Sequence, residues 1–139
     1  MVRRRTEGTF EVRGFTPAAV EPAVAVTTGL QLGVATMEKA FAGGVSGRSA
    51  TWFTGGQGAD GAGTYVALEA FGGSLDGRSG TFVFVHAAST HGEDRYGEHF
   101  SIAEGSGTGD LTGIAGTGGL AIDDDGTHRI WFDWEQLQP

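Results

Sequence analysis

Apolar and polar residues alternate along most of this chain, and short glycine-rich breaks interrupt the alternation at regular distances. A period of two marks strands that bury one face. The runs predict about eight strands, near residues 6–13, 30–42, 48–55, 64–72, 78–88, 96–104, 116–122 and 128–136. Pro17 and Pro22 frame a long connection after the first strand, with room for a helical turn. Residues 56–61 and 89–95 read as polar loops, and Asp123-Asp124-Asp125-Gly126 as a hairpin turn of Asp-Gly type.

Three breaks share one frame: glycine, any residue, an apolar residue, any residue, glycine. They are Gly43-Gly44-Val45-Ser46-Gly47, Gly73-Ser74-Leu75-Asp76-Gly77 and Gly109-Asp110-Leu111-Thr112-Gly113. Glycine accepts positive φ, so each frame suits a tight reversal, and its central Val45, Leu75 or Leu111 can fold back as a plug over an apolar interior. The first two frames belong to a longer repeat. Phe41 and Phe71 precede them, Arg48-Ser49 and Arg78-Ser79 follow, and Trp52 and Phe82 then occupy matching places. The frames fall at every second connection, so an antiparallel meander carries all three at one end. Closure removes the free edges of such a meander. The expected fold is all-β: a closed eight-stranded antiparallel up-and-down barrel, one domain over residues 1–139. A barrel of this size either fills its interior or holds one small ligand. No βαβ pattern is present, which excludes doubly wound cofactor folds.

Composition narrows the partners. The 26 glycines have no collagen period and lie between apolar runs, so they mark turns rather than disorder. A net charge of −8, with Arg3, Arg4 and Arg5 as the one basic cluster, argues against a nucleic-acid partner. The chain has no cysteine, hence no disulfide, zinc thiolate or cysteine nucleophile. No signal peptide is apparent after the arginines. The apolar stretch 18–26 is interrupted by Glu21 and Pro22 and is too short to cross a bilayer, so no membrane partner is expected. These features fit a cytoplasmic protein, and eight arginines against one lysine suggest a bacterial source. A homo-oligomer is compatible with the sequence.

Strand alternation then nominates an interior. Phe82, Phe84 and His86 share one face of the fifth strand, and aromatic burial favours that face as the inner one. By the repeat, Trp52 and Thr54 follow Phe82 and Phe84 inward. Matching Phe41 to Phe71 brings Met37 and Lys39 alongside Ala67 and Glu69. In the last strand Ile130, Phe132 and Trp134 form the inner set. The expected lumen is aromatic with few polar groups, chiefly His86, Glu69 and Lys39, which is the composition of a ligand site. Trp52, Tyr65, Phe71, Phe82, Phe84 and Trp134 are the candidate ligand-binding residues. His86 and Glu69 are the candidate catalytic pair, since a desolvated histidine or carboxylate can serve as general acid or base. The bland alternatives are a hydrogen-bonded core histidine, a structural pairing of Glu69 with Lys39 or Arg78, and an aromatic core filler.

Other clusters carry less. His91, Glu93, Asp94, Glu98 and His99 offer metal-ligand chemistry, but they sit in and beside a polar loop, and alternation separates Glu98 from His99. The three consecutive aspartates lack the spacing of a calcium loop. Gly105-Ser106-Gly107-Thr108-Gly109 lacks the lysine and helix of a phosphate loop. No metal and no cofactor are expected.

Several of these segments together resemble an uncharacterised bacterial family, the domain of unknown function numbered 3224. They are Gly8 to Val12, Phe41 to Gly47, Tyr65 to Glu69, Gly73 to His86 and Ser106 to Gly113. The resemblance spans most of the chain apart from the connection at 17–29. It implies a barrel like that of allene oxide cyclase, whose superfamily includes dirigent proteins; the third frame with Ile114-Ala115-Gly116 is similar to a glycine-rich turn of that superfamily. Allene oxide cyclases close a ring in an unstable epoxide without a cofactor. None of their catalytic residues maps onto this chain. The resemblance and the lumen together point to a cofactor-independent cyclase or isomerase that confines an apolar small molecule. The alternatives are a noncatalytic small-ligand binder and a filled barrel that acts through its surface.

Overall fold

The structure, a computed structural model, describes residues 2–137. Eight strands carry the fold: β1 Arg4–Ala18, β2 Gln31–Gly43, β3 Val45–Gln57, β4 Gly63–Leu75, β5 Arg78–Thr90, β6 Tyr96–Ile102, β7 Ile114–Ile122 and β8 His128–Gln136. Two three-residue 3-10 turns, Ala59–Gly61 and Gly109–Leu111, are the helical elements. Among the described residues no helix is long and apolar enough to cross a membrane.

Each strand pairs antiparallel with its successor. β8 returns to β1, from Arg4↔Trp134 to Phe10↔His128, so the eight strands form one ring-like sheet. The ring has a weak seam. β6 and β7 share the single pair Ser101↔Thr117. After β6 the chain instead follows β5: Ala103 N–H donates to Val83 O, and Thr108 N–H to Thr81 O.

The 17–29 connection is shorter than the alternation predicts, and it contains no helix. β1 continues through a bulge at Arg13 to Ala18, paired with β2 from Gly8 to Ala18 but with β8 only as far as Phe10. Pro17 therefore lies where one edge of β1 has no strand beside it, a position that tolerates a missing N–H.

The three glycine frames meet at one end of the ring. Asp76 N–H donates to Gly44 O, and Gly109 packs on the backbone of Ser79 and Gly80. Val45, Leu75 and Leu111 have no exposed surface. Beneath these plugs the interior is filled by aromatic side chains, with Phe41 against Phe71 at 5.4 Å and Phe82 against Phe132 at 5.3 Å, both edge-on. Trp134 Nε1–H donates to Thr6 Oγ1 at 3.0 Å, and the Thr6 hydroxyl donates to Asp76 Oδ2 at 2.6 Å. This chain of bonds joins β8, β1 and the β4–β5 turn across the filled end.

Strand alternation placed Phe82, Phe84, His86, Ile130, Phe132 and Trp134 inward, and all six are buried. Trp52 requires a correction. Its side chain is 60% exposed on the outer face of β3, and the inner residues of that strand are Ser49, Thr51 and the half-buried Phe53. The cause is a difference between two similar turns. In the first frame the reversal comes at Gly44, before the plug residue Val45. In the second it comes at Asp76-Gly77, after the plug residue Leu75, and Leu75 pairs with Arg78. Moving the turn across the plug shifts the register by an odd number of residues, and an odd shift exchanges the faces of the outgoing strand.

Candidate functional site

Above the aromatic plug the lumen is open, in two adjoining parts. An inner chamber of about 190 Å³ includes Lys39, Thr51 and His86 in its wall. An outer vestibule of about 1040 Å³ is edged by Phe15, Pro17 and the loop before β6. Phe53, Tyr65, Arg95 and residues 120–122 border both parts.

Alternation on four adjacent strands aims a polar cluster at this region. β2 supplies Lys39, β3 Ser49 and Thr51, β4 Tyr65 and Glu69, and β5 His86. Glu69 is the hub and has no exposed surface. Its Oε1 accepts from Lys39 Nζ at 2.9 Å and from His86 Nε2 at 2.8 Å, and its Oε2 accepts from the Ser49 hydroxyl at 2.6 Å. Burial alone would raise the Glu69 pKa. The hydrogen bond from His86, the charge of Lys39 and the bonds from Ser49 and Lys39 outweigh it and hold the carboxyl below its ordinary value.

The chain of bonds continues outward. Tyr65 Oη lies 2.8 Å from His86 Nδ1, and an Arg95 guanidinium N–H donates to Tyr65 Oη at 3.2 Å. The Glu69 carboxylate only accepts, so His86 Nε2–H faces it and Nδ1 of the neutral ring accepts the phenol proton, while Tyr65 Oη accepts from Arg95. Burial raises the Tyr65 pKa despite the opposing bond and charge from Arg95, so the phenol stays protonated. The imidazole is stacked on Phe84 at 5.5 Å and on Phe100 at 6.0 Å, with Tyr65 edge-on at 5.4 Å. Its orientation is fixed on every side.

Thr51 differs from its neighbours. Its Oγ1 is buried and has no hydrogen-bond partner within the protein, and no other buried side-chain polar atom among the described residues shares that state. An unpaired buried hydroxyl costs about 1–3 kcal/mol.

The candidate residues from the sequence fall into three groups. His86 and Tyr65 line the inner chamber, and Glu69 sits behind it, bonded to His86. Phe71, Phe82, Phe84 and Trp134, expected in the ligand wall, are fully buried in the aromatic plug and line neither cavity. Trp52 lies outside altogether. Lys39, and not Arg78, is the cation paired with Glu69; Arg78 reaches Gln136 and the Trp134 ring. Sequence reasoning missed Ser49, Thr51 and Arg95. The first two share a face with the plug residue Val45, and counting from Val45 would have placed them inside. Nothing in the polar loop distinguishes Arg95. Within that loop His91 and Asp94 bond each other, which holds the Asp94 carboxyl down at about 2. Among the described residues no three His, Asp or Glu side chains are grouped to hold a metal ion.

Curated proteins give no match to this chain. A crystal structure of a protein of unknown function from Shewanella oneidensis MR-1, of the DUF3224 family, superposes with a TM-score of 0.83 at 30% identity, covering 99% of this chain and 100% of that one. The family model described as "Protein of unknown function (DUF3224)" matches residues 6–134. With most of its length matched and its fold shared, the chain belongs to the DUF3224 family.

Proposed function

We propose that this protein is an allene-oxide-cyclase-like β-barrel that admits an apolar small molecule to the open half of its lumen and isomerises or cyclises it without a cofactor. The observation that carries this reading is the line of contacts Arg95–Tyr65–His86–Glu69–Lys39 set into an apolar wall. A filled structural interior gains little from such a line, because replacing a buried ion pair by apolar groups of similar volume is often neutral or stabilising. The chamber walls supply confinement, which holds a reactive conformer and excludes water.

Tyr65 is the group placed to exchange a proton with a ligand, because it borders both parts of the cavity. A proton leaving a ligand carbon arrives at Tyr65 Oη as the phenol proton passes to His86 Nδ1. The Nε2 proton moves to Glu69 Oε1 in the same sense. Reversal of these transfers returns a proton to a different ligand atom and restores the resting network. Glu69 acts through His86 and touches no ligand.

The second reading is a noncatalytic binder. It is favoured by a specific feature: both ring nitrogens of His86 are already held by protein partners. The two are separated by exposing the protein to cell extract, identifying the retained small molecule by native mass spectrometry, and incubating it with fresh protein in D₂O. The enzyme reading expects deuterium in the ligand, lost by roughly 10²–10⁴-fold in Tyr65→Phe with affinity kept. A ligand returned unlabelled and unchanged supports the binder. No retained ligand overturns both.

A further inference from the structure

The inner chamber holds two polar groups with unused hydrogen-bonding capacity. Thr51 Oγ1 is buried without a protein partner. Lys39 Nζ has three N–H groups, of which one reaches Glu69 Oε1, and its ammonium lies over the Phe10 ring at 4.6 Å. The β2–β3 register pairs Lys39 with Ser49 and Met37 with Thr51, so the two groups stand on neighbouring strands one inward step apart. Both residues line the chamber, whereas Glu69 does not. Phe10, Val12 and Leu120 are apolar members of the same wall, which also holds Tyr65, His86, Arg95 and His128.

We infer that Lys39 Nζ and Thr51 Oγ1 form a two-point seat for one uncharged acceptor oxygen, of the ketone type, at the leading end of an apolar ligand. This deepens the lumen-binding reading above and rests on it. The charge of the ligand follows from the balance of the site. Lys39 and Glu69 already neutralise each other at 2.9 Å in the interior. A carboxylate seated on Lys39 and Thr51 would place a second negative charge beside Glu69, while the other cation of the wall, Arg95, is bonded to Tyr65 and shared with the vestibule; burying a charge without its own partner is costly. A carbonyl takes both donors and adds no charge. Its size is also suited: a chamber of about 190 Å³ holds a head group, and the vestibule takes the chain behind it. A carbonyl seated on an ammonium has acidified neighbouring C–H bonds, the protons Tyr65 is placed to accept.

The test uses the full chain and three probes of one skeleton at pH near neutrality: methyl octyl ketone labelled with carbon-13 at the carbonyl, its methylidene counterpart with =CH₂ in place of =O, and decanoate. The ketone is expected to bind wild type more tightly than the alkene. Thr51→Val should cost the ketone roughly three- to tenfold in affinity and leave the alkene unchanged, the worth of one net hydrogen bond. Decanoate should bind more weakly than the ketone. Independently of any variant, the ketone carbonyl carbon should move downfield on binding wild type. Thr51→Val should melt no lower than wild type, since it removes an unpaired hydroxyl. Equal affinities for ketone and alkene, with no carbonyl shift, overturn the seat while lumen binding stands. Tighter decanoate overturns the uncharged head group. Binding of none of the three overturns this inference together with the reading beneath it.

Discussion

Glu69 stays ionised with no exposed surface because Lys39, Ser49 and His86, from three other strands, donate to its two oxygens. Such a pair resists partial removal. Glu69→Gln keeps the shape but leaves Lys39 charged and unpaired in the interior, and should cost about 3–5 kcal/mol in chemical denaturation. Replacing both partners by apolar residues should recover much of that loss. The sign of the pH dependence follows from the lowered pKa. The folded value lies below the ordinary 4.5, so the contribution is fully present above that pH and is lost as pH falls through the folded value. Denaturation midpoints measured downward from pH 6 should therefore fall more steeply in wild type than in Glu69→Gln once below about 4.5. Much of this cluster was legible in the sequence. Lys39, Glu69 and His86 stand at inner positions of apolar strands, where a polar residue is conspicuous. Thr51 and Ser49 were not legible, because small hydroxyl residues are ordinary on either face of a strand and only the register decides which face they take.

At the scale of the element, two turns with the same letters do different work. The repeat of frame, Arg-Ser and aromatic residue is real in the sequence, yet the outgoing strands β3 and β5 present opposite faces at matching positions. Strand existence survives such a change, since it depends on alternation alone; facing does not, since it depends on where in the frame the chain turns. The contrast gives a direct test. Phe82→Ala empties a site in the filled end and should cost about 3–5 kcal/mol, whereas the matching Trp52→Ser should change stability by about 0.5 kcal/mol or less. The glycines of the two frames differ in the same spirit. Gly47 has φ of +144°, and an added Cβ would come within 2.3 Å of Gly72 O, a backbone atom that cannot move aside. Gly77 has φ of +85° with nothing within 4 Å of an added Cβ. Gly77→Ala should cost about 1 kcal/mol from backbone strain alone, and Gly47→Ala roughly 2–4 kcal/mol, both read by denaturation.

Across the whole molecule the ring is neither uniformly filled nor uniformly stitched. The frame end is plugged by Val45, Leu75 and Leu111 and by the aromatic side chains below them; the other end is open and carries the polar cluster. The ladders from β2 to β5 run without interruption for most of their length, but β6 is joined to β7 by one pair. A sequence can announce eight strands and a ring without announcing this, because β6 is as alternating as its neighbours and the loss of pairing arises from the chain leaving β6 early to run along β5. Local opening begins where backbone bonds are few and side chains exposed. β6 meets both conditions: residues 96–99 are exposed and its partner on one side is nearly absent. Native-state hydrogen exchange should accordingly find amides of β6 and the facing edge of β7 exchanging through local opening, while the amides of β4 and β5 exchange only on global unfolding. The seam borders the cavity, since Arg95 precedes β6 and Leu120 lies on β7. A ligand in the chamber that touches both sides should slow exchange in β6 selectively. Uniform protection of β6 and β4 in the free protein would show that the seam is held by something other than its ladder.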